Sequence, residues 1–458
     1  MAGPILRALR LTLIRPVRGA IVSVFVPVVA TAFSAALSSA QQPIHDQDAA
    51  PPGIKVEHVA SLVRALGHDD YRIRASADEQ LAKLGGKAKE QLAKAEADPD
   101  PEVRLRAREL LKQIKIDELW QAGRFEFLDV DKAASQAIAA IAGQTGNHIL
   151  LGDQYGNFVD KPLTTKLAAA EYWPALDEIC RNTGNKLRQH YDTREPALVV
   201  TAGEHGKYPI AYAGPIRAQI TSAKRAYSEE IDFETAKSER THTFQLGLQM
   251  IWEDRFHLIA YRSQPELVLA RTDAGTEIAA VQPGTTGWNV AGGGTRQLTM
   301  TLKLHPPATA ASKLETLTLK WGVIAVGDMA TLAIDDLENR KPHFQDDVEL
   351  RVEQVELSGT QRCELGLLVL RNLVLSDPQE AFFQECEVEL LDQNKTPYRK
   401  QGQNNSYESD GARMKLSFVG ESAESKPTSL RFTYPRIRSQ RDVVITFIDV
   451  PLPNGRPE

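Results

Sequence analysis

Phe125–Ala202 opens with Phe125-Glu126-Phe127-Leu128 and carries one pattern twice, Ile141-Ala142-Gly143-Gln144-Thr145-Gly146-Asn147 and Ile179-Cys180-Arg181-Asn182-Thr183-Gly184-Asn185. Each copy ends an apolar helical face in Thr-Gly-Asn, and a short apolar run follows, Ile149-Leu150-Leu151 or Leu187 onward. Glycine just past the last periodic residue can take the left-handed conformation that closes a helix and releases the chain into a strand. The stretch therefore predicts a compact α/β module over 125–203. Phe125 and Phe127 open it as a half-buried strand. Asp131 is placed to cap a helix with Ala134, Ile138 and Ile141 inside. After Ile149–Leu151 come a turn-rich passage and a strand at Leu163–Leu167. The second helix starts near Trp173-Pro174, and strands follow near Lys186–His190 and Leu198–Thr201. The order is β-α-β-β-α-β with one further closing strand. Trp173 shares a helical face with Leu176 and Cys180, which favours core packing over a stacking site. Asp153, Asn157 and Asp160 lack the order of acids and glycine of a calcium loop, so a polar hairpin is expected there.

Upstream, residues 55–122 hold a second internal repeat. Asp70-Tyr71-Arg72-Ile73-Arg74 returns as Asp100-Pro101-Glu102-Val103-Arg104, and the match continues through Ala77 and Ala107, Leu81 and Leu111, Leu84 and Ile114. Ile73, Ala77, Leu81 and Leu84 are spaced for one face of a helix, as are their counterparts. Asp100 reads as an N-cap and Pro101 as the first helical residue, where a missing N–H costs nothing. Such units bury their apolar faces only by stacking on neighbours. Arg74 and Arg104 are expected to be structural, bonding a neighbouring unit.

Two resemblances follow from these residues. The pattern Asp-Pro-x-Val-Arg-x-x-Ala at 100–107 resembles HEAT-type helical repeats, which implies a protein-binding surface of about two units. Phe125–Val130, the Ala-rich helix, Gln144-Thr145-Gly146-Asn147 and Ala175-Leu176-Asp177-Glu178-Ile179 are similar to the secretin and TonB N-terminal domain. That likeness implies contact with partner proteins of the bacterial envelope, although neither a secretin nor a receptor barrel pattern follows here.

The compartment is read from the first residues. Residues 1–40 carry Arg7, Arg10, Arg15 and Arg18 without an acid, then a nearly apolar run and the small residues Ser38-Ser39-Ala40. This is the order of a secretory signal cleaved after Ala40, with an uncleaved anchor as the rival. Residues 41–54 read as a flexible tether. The chain is thus expected to be periplasmic or in the cell envelope, exported across the inner membrane, with no membrane span in the mature part. Losing the four arginines would take the net charge from −6 to −10. Such an acidic chain lacks the basic footprint that nucleic acid requires.

Beyond 205 strand signals dominate. Phe244, Leu246, Leu248, Met250 and Trp252 alternate with mostly polar or small neighbours. So do Leu298–Leu304, Met414–Phe418 and Leu430–Tyr434, and Val443, Ile445 and Phe447 share a face in a final strand over Arg441–Leu452. This pattern suits antiparallel sheets with one wet side. Two β-sandwich-like domains are expected, 205–342 and 343–458, divided at Lys341-Pro342-His343. The fold class is therefore multidomain α+β.

Chemistry is sparse. Glu253-Asp254 are paired acids of the type a glycosidase needs, but their place between strand runs suggests a solvated hairpin tip. Asp335, Asp336 and Glu338, and Asp346, Asp347 and Glu349, could donate oxygens to calcium; acids protecting strand ends are the simpler reading. The glycines of Ala291–Thr295 precede a strand and lack Gly-Lys-Ser/Thr, so they read as a connection. Cys180, Cys363 and Cys386 form no disulfide framework or zinc spacing, and Cys363 and Cys386 read as isolated thiols. No catalytic, cofactor-binding or metal-ligating residue is assigned, and no cofactor is expected. The expected role is a non-enzymatic envelope adaptor or scaffold with a protein partner. Envelope polysaccharide bound on a sandwich face is the alternative, and a hydrolase comes third.

Overall fold

The computed structural model describes residues 56–152, 156–190, 197–281, 287–292, 296–308, 311–358, 361–371, 378–422 and 424–453. The expected signal (1–40) and tether (41–54), Asp153 and Gly293–Thr295 lie outside these residues. The fold is mixed α+β with several antiparallel sheets, and about 23% of the described residues are helical and 50% in strands.

Helices α1 (Val56–Ala65), α2 (Tyr71–Leu84), α3 (Lys89–Ala95) and α4 (Pro101–Trp120) come first. The repeated aspartates cap α2 and α4 alike: the Asp70 carboxylate accepts from Arg72 N and the Asp100 carboxylate from Glu102 N, both at 2.8 Å. The repeated arginines also act alike, but on their own unit. Arg74 Nη1 donates to the carbonyls of His68 and Asp69, and Arg104 Nη1 to those of Asp98 and Pro99. Each guanidinium thus fixes the turn that leads into its helix. Arg74 also approaches the next unit, 3.7 Å from Glu102. The shared apolar face is uneven: Val103 is 4% exposed and Ile73 is 40% exposed.

The α/β module follows as β1 (Arg124–Phe127), α5 (Ala134–Thr145), β2 (Ile149–Leu151), β3 (Leu167–Glu171), α6 (Tyr172–Thr183), β4 (Asn185–His190) and β5 (Ala197–Ala202). β1 pairs antiparallel with β3, while β5 lies between β2 (parallel) and β4 (antiparallel). Ile138, Ile141, Trp173, Leu176 and Ile179 are buried in its core. Two local expectations are corrected. The strand placed at Leu163–Leu167 begins at Leu167 and runs on to Glu171. Asp131 does not cap α5: it sits at φ 59, and its own N–H donates to Leu163 O. Asp160 does the capping from across the loop, accepting from Ser135 N at 2.9 Å and Ser135 Oγ at 2.7 Å.

The remainder comprises β6 (Ile210–Ala213), β7 (Ile216–Asp232), β8 (Lys237–Trp252), β9 (His257–Arg262), β10 (Glu266–Thr272), β11 (Trp288–Val290), β12 (Gln297–Leu304), β13 (Lys313–Ile334), β14 (His343–Gln345), β15 (Val348–Ser358), β16 (Arg362–Arg371), α7 (Gln379–Gln384), β17 (Glu387–Asp392), β18 (Arg399–Tyr407), β19 (Gly411–Val419) and β20 (Pro427–Pro451). The sheets run β12-β8-β7-β6, β11-β9-β13-β20-β17 with β10 also on β13, and β14-β15-β16-β19-β18. One core gathers Phe244, Leu248, Trp252, Leu319, Trp321, Ile445 and Phe447. Another gathers Leu332, Leu350, Leu367, Phe382, Met414, Leu430 and Phe432.

A cut at 342 does not separate these cores. β13 and β20 pair antiparallel from Lys313 with Pro451 to Ile334 with Leu430, and each supplies residues to both cores. What reads as two strands at Leu430–Tyr434 and Val443–Phe447 is one. Gly327 and Arg436 drop out of the pairing register, a paired irregularity of the kind that resets side-chain alternation. In β20 the core residues are accordingly even-numbered at 430–434 and odd-numbered at 443–447.

The helical segment joins this body through the end of α4. Trp120 Nε1 donates to Ser439 Oγ at 2.9 Å, and its ring meets Phe256 edge-on at 5.1 Å. Lys115 pairs with Asp328 at 3.0 Å and Arg441 with Asp117 at 2.6 Å. No helix among the described residues is long and apolar enough to cross a membrane.

Candidate functional site

The paired acids after β8 do not form a solvated tip. Glu253 is 1% exposed and accepts from Gly123 N at 2.8 Å, Arg255 Nε at 2.6 Å and Asn147 Nδ2 at 3.3 Å. Asp254 accepts from His148 N at 2.6 Å, and its own N–H donates to Asn147 Oδ1 at 2.7 Å. Burial pushes the Asp254 carboxyl up, against the His148 N–H and the charge of Arg296. Both side chains are engaged by the chain's own donors at the seam between the α/β module and β8, where burial requires such partners.

The first copy of the Thr-Gly-Asn motif builds this seam, and the second secures a loop of the α/β module itself. Gly146 and Gly184 are left-handed, at φ 71 and φ 76. Thr145 Oγ1 donates to Ile141 O and Asn147 Nδ2 to Thr145 Oγ1, while Thr183 and Asn185 repeat both bonds on Ile179. Each asparagine then grips a remote segment. Asn147 holds Glu253-Asp254, and Asn185 binds both the N–H and the carbonyl of Val159.

A second buried charge cluster has no motif of its own in the sequence. Asp177 on α6 is 0% exposed and accepts from Arg217 Nε at 2.7 Å, Arg217 Nη2 at 3.0 Å and Tyr212 Oη at 2.7 Å. His205 Nε2 lies 3.2 Å from Asp177 Oδ1 but out of line for a good hydrogen bond. Burial works to raise the carboxyl of Asp177, yet His205 and the Arg217 guanidinium outweigh it and hold it below its usual range. Burial and the neighbouring Asp177 push the Tyr212 hydroxyl well up, which keeps it a donor. Beside the cluster opens a polar cleft of about 270 Å³ lined by Lys186, Arg188, His205, Arg217, Gln219 and Gln249. Its one buried guanidinium is already committed to Asp177, so the cluster acts first as a tie between α6 and β7. The available signal was an acid, Asp177, on the same helical face as Trp173 and Cys180.

The other candidate residues are dispersed. Trp173 is buried, with its indole N–H donated to Pro215 O at 2.9 Å. Asp335 lies 3.8 Å from Lys395, Asp346 accepts from Tyr434 Oη at 3.1 Å, Asp347 pairs with Arg438 at 2.8 Å, and Glu349 pairs with Arg351. Among the described residues no group of three or more His, Cys, Asp or Glu side chains is placed to hold a metal ion. The cysteines are buried and free.

The far end of β7 and β8 forms a ribbon. β6 pairs with β7 only as far as Gln219, and β12 pairs with β8 only as far as Phe244. From Ala226 to Thr243 the two strands pair with each other and with no third strand among the described residues, while Ser222–Arg225 form the outer edge of the three-stranded part β12-β8-β7. Its base still touches the body, where Ala223 packs on the first core and Arg225 Nη2 donates to Pro307 O at 3.4 Å, and beyond that base Ala226–Asp232 extends roughly 20 Å at strand spacing. Asp232 shapes its tip by accepting from Glu234 N at 2.8 Å and Thr235 Oγ1 at 2.7 Å, which holds its carboxyl low. Phe233, at the turn, is 91% exposed. Tyr227 and His242 meet edge-on across the ribbon at 4.5 Å.

Comparison with protein-family models, curated proteins and solved structures returns no match. The likenesses noted for the helical segment and the α/β module rest on their residue patterns alone.

Proposed function

We propose that the protein is an exported, non-enzymatic scaffold of the bacterial cell envelope that works by protein–protein contact. In this reading a HEAT-like segment and a secretin/TonB-N-terminal-like module are fixed to two sandwich-like β units that share β13 and β20. The observation that carries it is the ribbon. A bare two-stranded arm is marginal on its own in water and exposes backbone donors and acceptors suited to a partner strand. A large aromatic held almost wholly in solvent at its tip fits the same use, since such side chains anchor protein interfaces. The acids that could have marked a hydrolase are bound by the chain's own donors. The large exposed aromatics are spread over the chain, Tyr71 on α2, Tyr208 and Tyr212 before and on β6, Tyr227 and Phe233 on the ribbon, Phe344 on β14 and Tyr407 on β18, and no element carries more than two, which weighs against a sugar-stacking platform.

The test is a photo-crosslinking residue at Phe233 in intact cells, compared with one at Ile448, which is exposed on β20. Discrete protein adducts from position 233 alone are expected. Glycan adducts, or the same pattern from both positions, would overturn the proposal. Recovery of the chain from cytosol instead of the envelope fraction would overturn its localisation.

A further inference from the structure

The outer edge of β7 reads Lys224-Arg225-Ala226-Tyr227-Ser228-Glu229-Glu230, with two cations and two anions placed symmetrically about Tyr227. This edge lies past the last residue that β6 covers. From these facts we infer that the ribbon's partner is a second copy of this chain, joined edge to edge along β7, antiparallel, about a twofold axis at Tyr227. The inference rests on the reading of the ribbon as a contact surface and adds the identity of what it contacts.

Antiparallel pairing about a twofold axis normal to the sheet places one residue opposite itself and every other residue opposite its mirror position. With Tyr227 on the axis, Arg225 faces the partner's Glu229 and Lys224 faces the partner's Glu230. Each pair occurs twice, so four opposite-charge pairs form. Arg225, Tyr227 and Glu229 lie on one face and Lys224 and Glu230 on the other, so both faces are matched. Ala223 meets the partner's Ile231, an apolar pair. The register is specific. An axis at Ala226 matches none of these charges, and one at Ser228 matches only Lys224 with the partner's Asp232. Opposite charges directly across a strand pair are favourable and like charges unfavourable.

The single chain also contains an electrostatic fault that this pairing relieves. Glu230 stands directly across from Glu239 within the ribbon. A lysine arriving beside Glu230 offsets that repulsion. Glu229, by contrast, already binds Ser238 Oγ at 2.7 Å and Arg240 at 3.1 Å, which fixes its position for a second cation. Edge strands that must stay single are usually shortened, covered, bulged, interrupted by proline or lined with charges; here the charges are of both signs and self-complementary about Tyr227. Thr221–Asp232 contains no proline, and no strand covers it among the described residues.

The test is the oligomeric state of the full chain by sedimentation. Wild type is expected to be a dimer that weakens with salt. Lys224→Glu with Arg225→Glu is expected to raise the dissociation constant about a hundredfold, and Glu229→Lys with Glu230→Lys to do the same. The chain with all four changes regains a complementary edge and should return to within about threefold of wild type. The two double variants, when mixed, should form a heterodimer. Tyr227→Cys should give an intermolecular disulfide on mild oxidation, because only the axial residue meets itself, whereas Ile231→Cys alone should not. A circular dichroism spectrum unchanged from wild type confirms that each variant folds. A monomeric wild type, a dimer indifferent to the charge reversals, or a Tyr227→Cys variant whose new thiol stays reduced would each overturn the inference. Crosslinks from Phe233 to a different protein, with a monomeric chain, would overturn self-pairing and leave the scaffold reading standing. A monomer with no protein adduct would overturn both.

Discussion

Arg217 Nε donates to Asp177 Oδ2 at 2.7 Å, and both side chains are buried, at 3% and 0% exposure, where α6 meets β7. Removing one member of such a pair leaves the other charge buried without a counterion, which typically costs about 3–5 kcal/mol. Asp177→Asn is therefore expected to lower unfolding stability by that order at pH 7. The pH dependence has a definite sign. The folded carboxyl lies below its ordinary value, so its contribution is complete above an unfolded pKa of about 3.9 and fades as pH falls through the lower folded value. Urea titrations of wild type and variant should converge in that acid range. An equal gap at pH 7 and at the acid limit would remove Asp177 as the source.

Asn147 and Asn185 occupy equivalent places after their helices but hold different things. Asn147→Ala removes the acceptor for Asp254 N and a donor to buried Glu253, and Asn185→Ala frees both polar groups of Val159. A buried polar group left without its partner costs about 1–3 kcal/mol. Each variant should lose stability in that range by chemical denaturation. A neutral result for both would mean that the repeated motif is not what secures the two loops.

Gly214 joins β6 to β7 at φ 56, and a Cβ there would collide with the carbonyl oxygen of Trp120, where α4 ends. Gly214→Ala therefore combines an unfavourable backbone conformation with overpacking against main chain, a loss of about 2–4 kcal/mol. The shift should appear in thermal unfolding, together with a changed tryptophan emission from Trp120. Unaltered melting would show that the α4 terminus yields freely.

Burial raises the thiols of all three cysteines, with Cys363 pushed up to about 11 and Cys180 and Cys386 further. The thiolate is the reactive form. Native protein at pH 8 should consume almost no thiol reagent, and denatured protein should consume three equivalents. Rapid native labelling of any one of them would contradict its buried position.

Much of the element order was legible from the residues, because local rules act on neighbours in sequence. Asp70 and Asp100 begin their helices, and Gly146 and Gly184 end theirs, through bonds a few residues long. What escaped depends on segments far apart. Asp131 looks like a cap until Asp160 arrives across a loop. Glu253 looks like a surface acid until Gly123 and Asn147 close over it. The unity of β20 was hidden by the irregularity at Arg436, since a change from even to odd core positions also reads as the end of one strand and the start of another. The Asp177–Arg217 tie joins residues of two separate elements, and only the acid on a buried helical face hinted at it.

The sharing of β13 and β20 has a consequence for biosynthesis. The strand that lines Trp321 and Leu319 in the first core is β20, made after every other element described here. Strands from β6 onward leave the ribosome long before their central neighbour exists, and distant pairing of this kind closes slowly. Newly made chain should thus linger in a protease-sensitive, chaperone-dependent form until β20 is released, and a stop codon at the start of β20, at Pro427, should abolish both cores together and not just the nearer one.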